Sequence, residues 1–129
     1  MATPFQPTAA ELAILRVLWD REPCTVRDVH AVLAANGKDL AYTTVLTMFQ
    51  VMTEKQLVLR DDSSRAHVYR AATPRPKAQK LLVDDFVERA FGGAAAELVL
   101  HALAGRKASP EDLAEIRRLL DRMESKTRS

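Results

Sequence analysis

Apolar residues recur every three to four positions through most of the chain, and the breaks in that period mark out six helices and one hairpin. From about Ala9 to Asp20 the stripe is Leu12, Leu15, Leu18 and Trp19, supported by Ile14. Thr8, with Glu11 three residues on, has the form of a capping box: the hydroxyl accepts from an exposed backbone N–H, and the carboxylate accepts from the cap residue. Glu22 and Pro23 stop this helix. Thr25 and Asp28 repeat the signal, and Val26, Val29 and Leu33 form the inner face of a shorter helix that fades before Asn36 and Gly37. After a connection over Asn36 to Leu40, longer than the tightest helix-turn-helix turns, a third helix covers about residues 41–55. It turns Val45, Met48, Phe49 and Met52 inward and Thr43, Leu46, Thr47 and Gln50 outward, with Thr44 nearer the flank.

Beyond Lys55 the period shortens to that of strands. Val58 to Asp61 and His67 to Ala71 flank the turn residues Asp62, Ser63 and Ser64, which places Arg65 at the tip of a hairpin. Two prolines around Arg75 make Thr73 to Pro76 a stiff junction. From Lys77 to Phe91 the residues Leu81, Leu82, Val83, Phe86, Val87, Ala90 and Phe91 cover more than one helix face, and Gly92 and Gly93 end the run. Ala94 to Ala104 is apolar almost all round, with Leu98, Val99, Leu100 and Leu103 interrupted by Glu97 and His101, and Gly105 closes it. Ser109, Pro110, Glu111 and Asp112 open a last helix with the stripe Leu113, Ile116, Leu119, Leu120 and Met123. The fold expected is mostly α with a small β-hairpin wing: a winged helix-turn-helix domain over 1–73 and a three-helix region over 74–129.

The outward face of the third helix has no acid until Glu54. Small hydroxyls, an amide and one apolar side chain suit a helix lying in a DNA major groove. There Thr43, Thr47 and Gln50 would bond to base edges and Leu46 would touch a thymine methyl. An amphipathic helix with an uncharged outer face would look the same in isolation. The charge that follows favours DNA: net charge is only +2, but Lys55 to Lys80 holds seven cations against Asp61 and Asp62, a local +5 that leaves −3 elsewhere. Lys55, Arg60, Arg65 and Arg70 are therefore candidate contacts to the DNA backbone. A solvated charged face would give a similar count.

The last three helices span too little chain to bury so much apolar surface on their own. Leu82, Phe86, Phe91, Leu98, Leu100, Leu103, Ile116, Leu120 and Met123 are the residues expected to meet a second copy in a two-fold homodimer. Two linked reading heads would then grip an inverted-repeat operator. Folding back of these helices onto the amino-terminal domain in a monomer is the alternative, which the proline junction disfavours.

At 129 residues, 47% hydrophobic and 28% charged, the composition is that of a globular protein. No apolar run is long enough to cross a bilayer, and Met1 to Pro7 has no signal-like core, so a cytoplasmic protein without membrane insertion is expected. Cys24 is the sole cysteine and reads as a small core residue. His30, His67 and His101 share no ligand spacing, so neither a metal nor another cofactor is expected. No nucleophile–base set, paired acids or phosphate loop marks an enzyme. A winged-helix protein–protein interaction module that never touches DNA is the competing expectation.

The run Ala41-Tyr42-Thr43-Thr44-Val45-Leu46-Thr47-Met48, continuing through Thr53-Glu54-Lys55 to Leu57-Val58 and then Arg65-Ala66-His67-Val68-Tyr69, resembles the BlaI/MecI penicillinase-repressor family. So do the Thr8 to Trp19 helix and the segment from Phe86 to Gly93, and the resemblance extends from about Thr8 to Met123. It implies a dimeric winged-helix transcriptional repressor with no enzymatic activity, bound to an operator of dyad symmetry. It places operator contacts on Thr43, Thr44, Thr47 and Arg65. It also implies a membrane sensor protease as a signalling partner and a regulatory cleavage between His101 and Ala102, where familiar members have asparagine followed by phenylalanine. Val51 stands where many relatives carry arginine. Gln56 replaces a common glycine, so the recognition helix is expected to lack its left-handed cap. The cysteine cluster of the copper-responsive branch is missing.

Overall fold

The computed structural model describes residues 5–128. They form α1 (Ala9–Arg21), α2 (Val26–Ala35), α3 (Tyr42–Glu54), β1 (Val58–Asp61), β2 (Val68–Ala71), α4 (Arg75–Phe91), α5 (Ala95–Leu103) and α6 (Pro110–Arg128). The mostly α fold with one hairpin follows the expected order. By compactness the chain divides into a head, Met1–Asp84, and a tail, Asp85–Ser129.

In the head, both capping boxes close. Thr8 Oγ1 accepts from the Glu11 N–H at 3.1 Å and Glu11 Oε1 from the Thr8 N–H at 2.8 Å; Thr25 and Asp28 do the same at 3.1 and 3.0 Å. One core holds Ile14, Leu15, Leu18, Val29, Leu33, Val45, Phe49, Met52, Val58 and Tyr69. The α1 stripe is rotated from the expected one. Ile14 and Val17 are buried, whereas Leu12 and Trp19 stand at its edge. The reason is that α1 packs on both α2 and β2, which widens its covered face past a single stripe. Trp19 spends its indole N–H on the Thr73 carbonyl at 3.0 Å.

The hairpin is antiparallel, with Val58 opposite Ala71 and Arg60 opposite Tyr69. His67 lies in the loop before β2 and is not a strand residue. Sequence periodicity missed a third partner. Cys24 exchanges both backbone hydrogen bonds with Tyr69, at 3.1 and 2.8 Å, and so extends the wing by one residue. Its thiol is buried, donates to the Arg21 carbonyl at 3.1 Å, and is pushed up in pKa by that burial, with Asp28 acting in the same sense.

The end of α3 corrects the expectation for Gln56. That residue takes the left-handed conformation without being glycine, at φ 62°. Its N–H donates to the Thr53 carbonyl at 3.1 Å, and the Leu57 N–H donates to the Met52 carbonyl at 2.9 Å. These are the two bonds of a Schellman cap, so the helix end is closed after all. At the end of α2, Gly37 at φ 82° does the same, with bonds from Gly37 to Ala34 at 3.1 Å and from Lys38 to Leu33 at 2.9 Å. His30 Nε2 then donates to the Leu40 carbonyl at 2.8 Å and ties down the rest of that connection.

The junction is helical from Arg75. Pro76 falls in the first turn of α4, where its missing N–H leaves no bond unmade. Arg75 pairs with Asp20, Ala78 is buried, and Leu82 lines a groove of about 390 Å³ with Leu12, Trp19 and Gln79. By compactness the first turns of α4 group with the head.

In the tail, Gly92 and Gly93 take φ 58° and 90°, and the Gly93 N–H returns to the Val87 carbonyl at 3.0 Å to end α4. Phe86 and Phe91 meet edge to face at 5.8 Å, and Phe91 lies 5.8 Å from the His101 ring. Ser109 caps α6 by accepting from the Asp112 N–H at 3.0 Å. Neither α5 nor α6 buries a residue. Among the described residues no helix is long and apolar enough to cross a membrane.

Candidate nucleic-acid interface

Burial of Val45, Phe49 and Met52 on one side of α3 fixes what the other side presents, and Thr43, Thr44, Thr47 and Gln50 are all exposed. Thr47 Oγ1 donates to the Thr43 carbonyl at 3.0 Å, leaving its lone pairs facing outward as acceptors. Leu46 is not on this ridge as expected; it is half-buried and packs against the core. It lines a cleft of about 440 Å³ with Thr25, Val26, Arg27, Tyr42, Arg65, Ala66, His67 and Tyr69. The cleft joins the start of α2, the start of α3 and the wing loop. Ala41 provides no side-chain cap for α3.

The cations divide into two groups. Lys55 Nζ lies 2.9 Å from Glu11 Oε2, Arg60 Nε 2.9 Å from Asp62 Oδ1 and Lys80 Nζ 2.7 Å from Asp84 Oδ1, and Arg75 pairs with Asp20. Arg65, Arg70 and Lys77 carry no ion pair among the described residues. Much of the local positive charge is thus neutralised within the protein.

Lys55 has a structural task. Burial alone would push the Glu11 carboxyl up, but the Thr8 N–H and the Lys55 ammonium together outweigh it and hold its pKa below the ordinary glutamate value. This pair ties the end of α3 to the start of α1. In the wing, hydrogen bonds from Ser63 hold the Asp61 carboxyl below its usual range, and nearby Arg70 adds to the effect.

Two participants escaped the sequence reading. Arg27 lies in the first turn of α2 and lines the cleft beside Arg65. A cation at the positive end of a helix dipole opposes the local preference, and that mismatch was its signal. Asp62 reads in the sequence as a turn residue and a subtracted charge, yet it contacts both Arg60 and His67. No group of three or more His, Cys, Asp or Glu side chains converges as metal ligands would, among the described residues. Of the remaining expected residues, Phe86, Leu100, Leu103, Leu120 and Met123 are exposed, and Phe91, Leu98 and Ile116 are half-buried. His101 and Ala102 are exposed inside α5.

Residues 7–122 match the sequence profile of the family described as Penicillinase repressor. The chain is 35% identical over 117 residues to proteins named Transcriptional regulator BlaI from two strains of Mycobacterium tuberculosis, CDC 1551 / Oshkosh and H37Rv, covering 89% of this chain and 83% of the relative. With its winged helix, its exposed threonine row and a match over most of its length, the chain belongs to the BlaI/MecI penicillinase-repressor family of transcriptional regulators.

Proposed function

We propose that the protein acts in the cytoplasm as a homodimeric repressor that binds double-stranded DNA at an inverted-repeat operator. The observation that carries this reading is the exposed row Thr43, Thr44, Thr47 and Gln50, held by the buried opposite face of α3, with Arg65, which has no ion pair among the described residues, lining the cleft beside Tyr42 and Leu46 of the same helix. The row reads bases. With its proton committed to Thr43, Thr47 accepts from an adenine or cytosine amino group. Arg65 and Arg70 contact the backbone, whereas Lys55 and Arg60 act through the shape of the protein. The functional division remains a reading domain over 1–73 and a dimerisation region over 74–129, with Phe86, Leu100, Leu103, Leu120 and Met123 covered by the second copy. The bond between His101 and Ala102 lies within the turns of α5, so a sensor protease would cut there only after α5 opens.

The self-paired cations favour a second reading, a winged-helix module that bridges proteins. Footprinting on the chain's own upstream region, followed by duplex titration at two salt concentrations, separates the two. A protected inverted repeat with steep loss of affinity in salt supports repression, and salt-insensitive or missing protection supports bridging. Thr47→Val then costs about 1–3 kcal/mol at one base pair. Equal losses on operator and random DNA would refute base reading by α3.

A further inference from the structure

We propose that Asp62 is a positioning residue: it locks the wing loop in the shape that delivers Arg65 to DNA, although its own charge repels phosphates. The inference rests on the DNA-binding reading above. A single oxygen, Asp62 Oδ1, lies 2.9 Å from Arg60 Nε and 2.6 Å from His67 Nδ1. Arg60 belongs to β1 and His67 immediately precedes β2, so one carboxylate ties the two ends of the hairpin loop together. Two local bonds stiffen the interior: the Ser63 N–H donates to Asp61 Oδ1 at 2.9 Å, and the Ser64 hydroxyl donates to the Ala66 carbonyl at 2.8 Å.

Arg65 is the residue spanned by the Ser64–Ala66 bond and has no ion pair of its own among the described residues. It lines the cleft shared with Arg27, Tyr42 and Leu46. Asp62 lines a different cleft, with Gln50, Gln56, Leu59 and Arg60. Asp62 thus lines the neighbouring cleft and reaches the Arg65 cleft through His67, which lines it. A loop already fixed in its bound shape does not lose that conformational freedom when it meets DNA.

The sign of the effect makes the proposal testable. If Asp62 did no more than neutralise Arg60, then Asp62→Asn would free a cation, tighten binding to every duplex and steepen the salt dependence. If Asp62 positions Arg65, the same change weakens operator binding by about tenfold, the cost of ordering roughly one residue, and flattens the salt slope by about one. Asp62→Ala gives the larger loss because no acceptor remains, and Asp62→Glu recovers part of the affinity.

The experiment titrates operator and random duplexes with the full chain carrying these changes, in the wild-type and Arg65→Ala backgrounds. Thermal unfolding is recorded in parallel to confirm that each variant is folded. The expected result is a loss on the operator that vanishes once Arg65 is gone. Tighter binding by Asp62→Asn, or an undiminished loss in the Arg65→Ala background, overturns the inference while leaving DNA binding intact. A wild-type chain that binds no duplex overturns the DNA-binding reading and this inference with it.

Discussion

Phe49 and Phe86 carry the same side chain, yet the first is fully buried in the head and the second stands 50% exposed in the tail. The difference extends to their neighbours. The head closes three helices and a wing over one shared core around Phe49, although Leu59 on the wing stays 57% exposed. In the tail, Leu100 is 72% exposed and α5 and α6 bury nothing. An apolar stripe therefore states that a face needs cover without stating which chain supplies it. Exposed patches of this kind on a helical surface mark places where another molecule docks.

Substitution at these two kinds of site should separate them, and the head should show the larger effect. Phe49→Ala removes a ring that touches Tyr69 at a centroid distance of 4.5 Å, and should cost about 3–5 kcal/mol of stability at any protein concentration. Urea unfolding at two concentrations tests this; a loss below about 1 kcal/mol would mean the head core is not the closed unit described. Leu100→Glu should leave the unfolding of the head within about 0.5 kcal/mol of wild type while making the chain sediment as a monomer. Operator affinity should then fall by about 100-fold or more, because the second head no longer binds at high effective concentration. A wild-type chain that itself sediments as a monomer at tens of micromolar would remove the contrast.

Local signals were the ones legible in the sequence. Both capping boxes and the inner face of α2 depend on residues three or four apart, the double-glycine stop on adjacent ones, and all formed as read. The fold class and the outward turn of Thr43 and Thr47 followed from the period, whereas Thr44, read nearer the flank, is exposed as well. What escaped depends on partners distant in the chain. The bridge of Cys24 to Tyr69 spans α2 and α3, and the widened face of α1 reflects two neighbours that its own pattern cannot reveal. Counting cations gave a positive stretch, but Glu11, Asp20 and Asp62 had already claimed three of them. A charge sum has no geometry. Leu46, read as outward, is half-buried because it packs against the core at the cleft between α3 and the wing loop.

The Glu11–Lys55 pair offers a sharper test inside the head, of smaller size. Its carboxyl is held below the ordinary value when folded, so it contributes stability above the unfolded pKa, near 4.3, and loses it as pH falls through the lowered native value. Glu11→Gln keeps an acceptor for the Thr8 N–H but discards the charge. With Lys55 45% exposed, solvent screening limits the cost to about 1 kcal/mol at neutral pH. Stability measured from pH 7 downward should show the wild-type advantage shrinking and closing in acid. An advantage that persists below pH 3 would assign the effect to packing instead of charge.

The smallest expected effect comes from the two Schellman caps of the head, which have one geometry and different residues. Gly37 occupies its left-handed position at no steric cost, whereas Gln56 adopts φ 62° against the clash of its Cβ with the following carbonyl, about 1–2 kcal/mol. Replacing Gln56 with glycine relieves that strain but gives the unfolded chain more freedom, so the net gain should be about 0.5–1 kcal/mol. Gly37→Ala should lose a similar amount, and since nothing lies within 4 Å of an added Cβ there, the loss would be backbone strain alone. Opposite signs at the two sites would show that both helix ends are held by the same cap. A destabilised Gln56→Gly would instead mean that the glutamine side chain, on the wall of the cleft beside β1, makes a contribution larger than its strain.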